Sequence, residues 1–215
     1  MKPVIVFGNQ DSASTTHYYL STDSARRVVA FTVDQDRITS ATHEGLPVVP
    51  FERIQEQFPP DQVDFIFPAG FQLSNPYNTN IFRQDRYQLI KSMGYQFVNY
   101  ISSRAMVADN VVIGENVLIY EGAIVQPFVE IGNNTIIRSG VNLGHHCVVQ
   151  DHCFISAEVT VGSRTRIGSQ TFIGLNTTIL NSITVADGSF IGSSTLINRD
   201  TQAFSKNLGI PGHAY

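Results

Sequence analysis

From Ile101 onward a large aliphatic residue returns every six positions. The series runs Ile101, Val107, Ile113, Ile119, Val125, Ile131, then Ile137, Leu143, Val149, Ile155, Val161, Ile167, and ends with Ile173, Ile179, Val185, Ile191 and Ile197. All seventeen are Ile, Val or Leu, and no insertion breaks the count. The fourth residue after each is small or β-branched, as at Ala105, Val117, Thr135, Cys147, Cys153 and Thr177. A helix would repeat every 3.6 residues and a half-buried strand every two. A period of six instead marks one short strand plus a corner, three of which close a triangular coil. The large aliphatic points into the prism and the small residue fits beside it. Coils stack at roughly 4.8 Å, so the span holds about five of them. The pattern predicts a left-handed parallel β-helix over residues 101–200, followed by a tail over 201–215. The flanks of such solenoids are commonly closed by association.

Residues 1–100 follow other periods. "PVIVFG" reads as a buried strand, "RRVVAFTVD" as a second and "VDFIFPAG" as a third. Between them "DSASTTHYYL" predicts a helix capped by Asp11 or Ser12, and "FERIQEQF" a short helix. "NTNIFRQDRYQLIKSMG" predicts a longer helix stopped at Gly94. Strands alternating with helices predict a small parallel, Rossmann-like α/β domain over 1–100. The loop "AGFQLSNPYNTN" follows the third strand, at the carboxyl end where open α/β sheets place ligands. The fold class is therefore α/β plus β-solenoid.

Composition narrows the partners. Among 215 residues the net charge is −4 and no Lys/Arg run occurs, which gives no reason to expect nucleic acid. No apolar stretch reaches the roughly 18 residues of a membrane helix, so no membrane insertion is expected. "MKPVIVFGNQ" lacks the basic start and cleavage site of a signal peptide, which makes the cytoplasm the expected location. Two cysteines there do not make a disulfide framework.

One stretch looks like a metal knot: "LGHHCVVQDHCF", residues 143–154. The register decides otherwise. With the large aliphatic as position one, Cys147 and Cys153 both occupy position five, the small inward site. They read as buried filler. His145 and His146 occupy positions three and four, on the outward corner, and His152 is position four one face further round. A ligand set mixing these histidines with the cysteines would have to reach through the wall, so no metal is expected.

The two halves together resemble the NeuD/PglD-like bacterial sugar O-/N-acyltransferases. "VNYISSRAMVADNVVIGENVLI" is similar to that family's approach to the β-helix, and "IRSGVNLGHHCVVQDHCFIS" to its active-site coils. The tail "GIPGHAY", with Gly209 and Pro211, is similar to its closing segment. The resemblance implies acetyl-CoA as co-substrate, a homotrimer, and a nucleotide-sugar acceptor held by the first domain. It places His145 on the catalytic histidine. It also shows departures. His146 stands where the family has the acid beside that histidine. Arg138 replaces an asparagine, Phe154 a second histidine, and "GNQDSA" a glycine-rich turn.

On that pairing His145 is expected to be the general base, since histidine is neutral near pH 7 and can take a proton from an attacking amine or hydroxyl. His146 is expected to fail as a substitute for the carboxylate. Residues eighteen apart stack, so Arg138 shares a column with Ser156, Gly174 and Gly192, whose small side chains leave room for a pantetheine arm. Phe154, Ser163 and Arg164 complete the expected CoA surface, with Arg164 facing a CoA phosphate. Arg138 is expected to meet a phosphate or carboxylate on the acceptor. In the first domain Gly8, Asn9, Gln10, Asp34 and Gln35 end the first two strands and are the expected nucleotide contacts. The leading function is transfer of acetyl to an amino group of a nucleotide-linked amino sugar. The alternatives are sugar O-acetylation, a non-sugar acceptor or longer acyl donor, and a β-helix that binds without turnover.

Overall fold

The computed structural model describes residues 1–68 and 76–209, excepting the side chains of residues 76–79. The loop after the third strand and the end of the tail, Pro211 included, lie outside them. The chain forms two compact units. One comprises Met1–Gly70 with Asp85–Tyr100, the other Phe71–Gln84 with Ile101–Tyr215. Residues 76–84 therefore group with the second unit and not with the first.

In the first unit β1 (Val4–Phe7) is wholly buried and leads into α1 (Asp11–Asp23). The N-cap of α1 is Gln10, without a side-chain cap bond, which corrects the expected cap at Asp11 or Ser12. The Gln10 carbonyl accepts from Ala13 and Ser14, and this closes the first turn. The chain continues through β2 (Val28–Val33), β3 (Thr42–His43), β4 (Leu46–Pro50), α2 (Ile54–Gln57) and β5 (Asp64–Ile66). The sheet order is β3-β4-β2-β1-β5, with every pairing parallel except the β3–β4 hairpin. The sequence reading passed over β4 because "LPVVP" carries two prolines, which cannot donate to a ladder. Pro47 sits in the short hairpin and Pro50 at the strand end, where those missing donors matter least. A core of Ile5, Phe7, Phe51, Ile54, Phe65 and Ile90 fills the unit.

The second unit is a three-faced parallel β-helix. Its two-residue strands pair with those eighteen residues on: Ile124 with Asn142, Glu130 with Val148, Ile136 with Phe154. The last pairing, Phe190 with Lys206, is sixteen residues on. Residues called a tail thus continue the coil to Asn207, which corrects the boundary at 200. The aliphatic column is buried through the prism, from Ile119 to Ile191. Each such side chain contributes about 1.5–3 kcal/mol by burial.

Several position-five side chains also donate a hydrogen bond. The hydroxyls of Thr135, Thr165 and Thr177 donate to the carbonyls of Gln150, Leu180 and Gly192, each fifteen residues on. Cys147 and Cys153 thiols do the same to Gly162 and Gly168, both at 3.1 Å. Position five therefore takes a small or β-branched residue, and Cys147 and Cys153 make the same bond there as the threonines. From Asn116 to Ser194, position four turns each corner with positive φ. His146 (59°), His152 (62°), Phe128 (64°) and Arg164 (60°) share this left-handed conformation. Such residues point outward from the corner, which is how histidines reach the surface of the prism.

α3 (Pro76–Ser92) lies across both units in sequence. Its Asn80–Gln84 segment covers one corner of the β-helix. Arg83, fully buried, donates to the Asn134 carbonyl at 2.6 Å and to the Cys153 carbonyl at 3.3 Å. Asn80 donates to the Gln170 carbonyl at 2.9 Å.

Candidate functional site at the histidine corner

The His145 corner lies between the strands Asn142–Leu143 and Val148–Val149. Gly144 admits the turn, because a Cβ there would meet the Ser163 amide nitrogen at 2.6 Å. The His145 amide donates to the Gln126 side-chain carbonyl on the coil above at 3.0 Å. Its carbonyl accepts from the Arg164 amide on the coil below, also at 3.0 Å. The backbone is thus pinned on both sides, and the imidazole is left half-buried at the surface.

His145 Nδ1 and His146 Nδ1 lie 3.0 Å apart, with the rings at 87°. This is hydrogen-bond distance, so one nitrogen carries the proton and the other accepts it. The His146 ring is thus turned toward His145. The exposed His146 ring lies on Phe128 at 4.7 Å and 28°, an offset stack that fixes its plane. Phe128 carried no signal in the hexapeptide register. Only its place eighteen residues before His146 singles it out.

His152 is 7 % exposed, although its position-four register resembles that of His146. The difference is the Asn80–Gln84 segment, which covers this corner and leaves the other open. His152 Nδ1 accepts from Asn134 Nδ2 at 2.9 Å, and Asn134 Oδ1 accepts from Asn116 Nδ2 at 2.8 Å. His152 is therefore a structural member of a polar column. Both thiols are also spent inside. Burial raises the Cys147 thiol and pushes Cys153 up to about 12. A nucleophilic cysteine needs the opposite, an exposed thiolate-stabilising setting. Among the described residues no three His, Cys, Asp or Glu side chains converge on one point.

The expected CoA residues fall into separate places. Ser163 and Arg164 lie on the coil below the histidine corner, and Arg164 is exposed. Arg138, Ser156, Gly174 and Gly192 form a column at the preceding corner, across the Asn142–Leu143 face. Ser156, Gly174 and Gly192 make the same ladder bond to the next coil and present little side chain there. The Arg138 guanidinium sits 4.3 Å above the Tyr120 ring centroid, a cation–π contact that orients it. Phe154 lies on the neighbouring face, stacked on Phe172 at 5.7 Å, which is stacked on Phe190 at 5.1 Å. One chain brings His145, His146, Ser163 and Arg164 together, but leaves the Arg138–Gly192 column at another corner.

In the first unit Gly8 has φ 134° and its amide donates to the Thr32 carbonyl. A Cβ on Gly8 would stand 3.2 Å from that of Ala13, so the glycine allows α1 to start against β1. Asn9 donates to the Arg37 carbonyl at 3.1 Å. Asp34 is no free acid. Arg86 grips both its oxygens at 2.7 and 2.9 Å while lying over Phe7 and Phe51 at 5.0 and 4.8 Å. The Gln35 amide is held by the Glu52 carboxylate at 3.1 and 3.2 Å. The five expected contacts thus cluster at the carboxyl ends of β1 and β2, with Asp34 already neutralised.

Fold and corner together define a hexapeptide-repeat β-helix protein with an outward pair of histidines. Residues 97–196 match the family described as GMPPB C-terminal domain. No curated protein matches the chain in sequence. Over nearly its whole length the chain is similar in structure to the acetyltransferase domain of PglB from Neisseria gonorrhoeae FA1090. The TM-score is 0.85 at 21 % identity, covering 97 % of each chain. It is also similar to a variant perosamine N-acetyltransferase from Caulobacter crescentus in complex with CoA and GDP-perosamine. There the TM-score is 0.86 at 21 % identity, covering 98 % of this chain and 95 % of that one. WeeI from Acinetobacter baumannii AYE gives a TM-score of 0.81 at 17 % identity, covering 97 % of each chain. At these identities the likeness establishes the fold. Among the described residues no helix is long and apolar enough to cross a membrane.

Proposed function

We propose that this chain is an acetyl-CoA-dependent acetyltransferase of the NeuD/PglD-like kind, acting on an amino group of a nucleotide-linked amino sugar in the cytoplasm, for cell-surface glycan synthesis. The observation that carries the reading is the His145–His146 pair, oriented and open at a β-helix corner. It is supported by similarity, over both units, to structures that hold CoA and a nucleotide sugar.

In this reading the acceptor amine attacks the thioester carbonyl directly. Its nitrogen forms the new bond to carbon as the carbon–sulfur bond breaks. His145 Nε2 takes the proton from the amine and returns it to the departing thiolate, giving the amide and free CoA. No acyl-enzyme is required, which agrees with two buried, protonated thiols. The acetyl-CoA runs along the Ser156, Gly174 and Gly192 column with Phe154 beside it. It meets the Ser163 and Arg164 surface of a second subunit, because one chain separates the two sets. A homotrimer completes the site in this way. The first unit is Rossmann-like, and Gly8, Asn9, Gln10 and Gln35 take the nucleotide, with the Asp34–Arg86 clamp as its wall. Arg138 meets a phosphate or carboxylate of the acceptor. Its cation–π seat on Tyr120 supports this role by orienting the guanidinium.

Titration calorimetry tests the ligand assignment. Acetyl-CoA is expected to bind at one molecule per chain, and Arg164→Glu, at an exposed side chain, to weaken that binding while the protein stays folded. Absence of any acetyl-CoA binding to the wild-type protein would overturn the reading.

A further inference from the structure

The family resemblance leaves His145 without its carboxylate, and the structure supplies an imidazole in that place. Two ring nitrogens at 3.0 Å share one proton, so the neutral pair must consist of opposite tautomers. Nδ1 of His145 is engaged, and only its Nε2 remains to face an acceptor. For Nε2 to hold a lone pair, Nδ1 must carry the proton. His146 must then accept at Nδ1 and carry its own proton on Nε2. We infer that His146 is the positioning residue of this site, selecting the Nδ1–H tautomer of His145 as an uncharged hydrogen-bond acceptor held by Phe128.

This deepens the acetyltransferase reading and rests on it for the role of Nε2, but the tautomer itself does not depend on turnover. The pair is held from several sides. The Gln126 and Arg164 contacts fix the His145 backbone, and the Phe128 stack fixes the plane of His146. The coils directly above and below present Gln126, Pro127, Phe128 and Gly162, Ser163, Arg164. Arg164 is the one charged side chain in that set, and it is a cation. No carboxylate in it competes to accept from His145. When His145 takes the acceptor's proton on Nε2, its Nδ1–H continues to donate to His146, so the hydrogen bond survives the step. Those coil residues place no anion beside the positive charge then formed. The pair orients the base without the electrostatic support a carboxylate gives.

The substitution His146→Phe removes the acceptor nitrogen and keeps the stack. Phenylalanine is tolerated there, because Phe128 in the same column already adopts a φ of 64°. The substitution His146→Asn keeps an acceptor on a residue that accepts positive φ. Nitrogen-15 NMR of the full chain, assigned with the His145→Ala spectrum, reads the tautomer directly. The expected result is a protonated Nδ1 and bare Nε2 at His145 in the wild type. In H146F the proton moves to Nε2, and kcat falls roughly 10- to 100-fold with KM for acetyl-CoA unchanged. H146N is expected to restore part of both. A wild-type His145 carrying its proton on Nε2 would overturn the inference. So would an H146F protein with unaltered tautomer and kcat. Lack of acetyl transfer by a wild-type protein with the expected tautomer would instead defeat the acetyltransferase reading alone.

Discussion

Replacement of His145 by alanine is expected to lower kcat by about 10²–10⁴, the usual contribution of a positioned general base. KM for acetyl-CoA is expected to change little, since His145 contacts the reacting proton and not the length of CoA. The fold should survive. Among the described residues the imidazole bonds to His146, and the backbone bonds to Gln126 and Arg164 do not need the side chain. Steady-state kinetics with a thermal melt as control gives the answer. Near-normal kcat in a folded protein would remove His145 from the role of base.

The largest stability effect is expected at Arg83. Its guanidinium is fully buried and serves the Asn134 carbonyl, the Asn134 side chain, the Cys153 carbonyl and Asn80. Burial lowers its pKa to about 10, which still leaves it charged at neutral pH. Several kcal/mol of desolvation are offset by these oxygens, with Asn134 returning a bond to the Arg83 carbonyl at 3.2 Å. Arg83→Ala takes the donor from the Asn134 carbonyl, removes the second donor to the Cys153 carbonyl and opens a void, so about 3–5 kcal/mol should be lost. For a chain of this size that lowers the melting temperature by roughly 10 °C. Arg83→Lys should recover only part, because an ammonium cannot span two carbonyls in the plane of a fork. An unchanged melt for Arg83→Ala would show that the network carries no stability.

What was legible in the sequence follows from how many times each environment recurs. Every coil offers the same inward site, so seventeen aliphatic residues spell one geometry and place Cys147 and Cys153 without ambiguity. The outward corners do not recur in that way. His146 and His152 share position four, yet one is exposed and the other buried, because the Asn80–Gln84 segment covers a single corner. Nothing in six-residue spacing reports a cover that comes from far earlier in the chain. Arg83 was hidden for the same reason. Its helix was predicted, but its partners are fifty or more residues away.

The first unit was harder to read. The strand "LPVVP" was masked by its prolines, and Asp34 looked free because Arg86 lies on an element that sequence alone could not place beside it. The proposal of His145 as base rests on register and resemblance together. His146 was harder to read, because its contacts with His145 and Phe128 exist only in the folded coils. As opposite neutral tautomers, two imidazoles form an ordinary hydrogen bond.

The most direct test incubates the purified protein with acetyl-CoA and a panel of amino-sugar nucleotides, and follows free thiol together with the mass of the sugar product. The account predicts that one or more members release CoA in step with a product heavier by a single acetyl group, and that the protein itself carries no acetyl. Thiol release with no acetylated sugar nucleotide, or an acetylated protein intermediate, would contradict it.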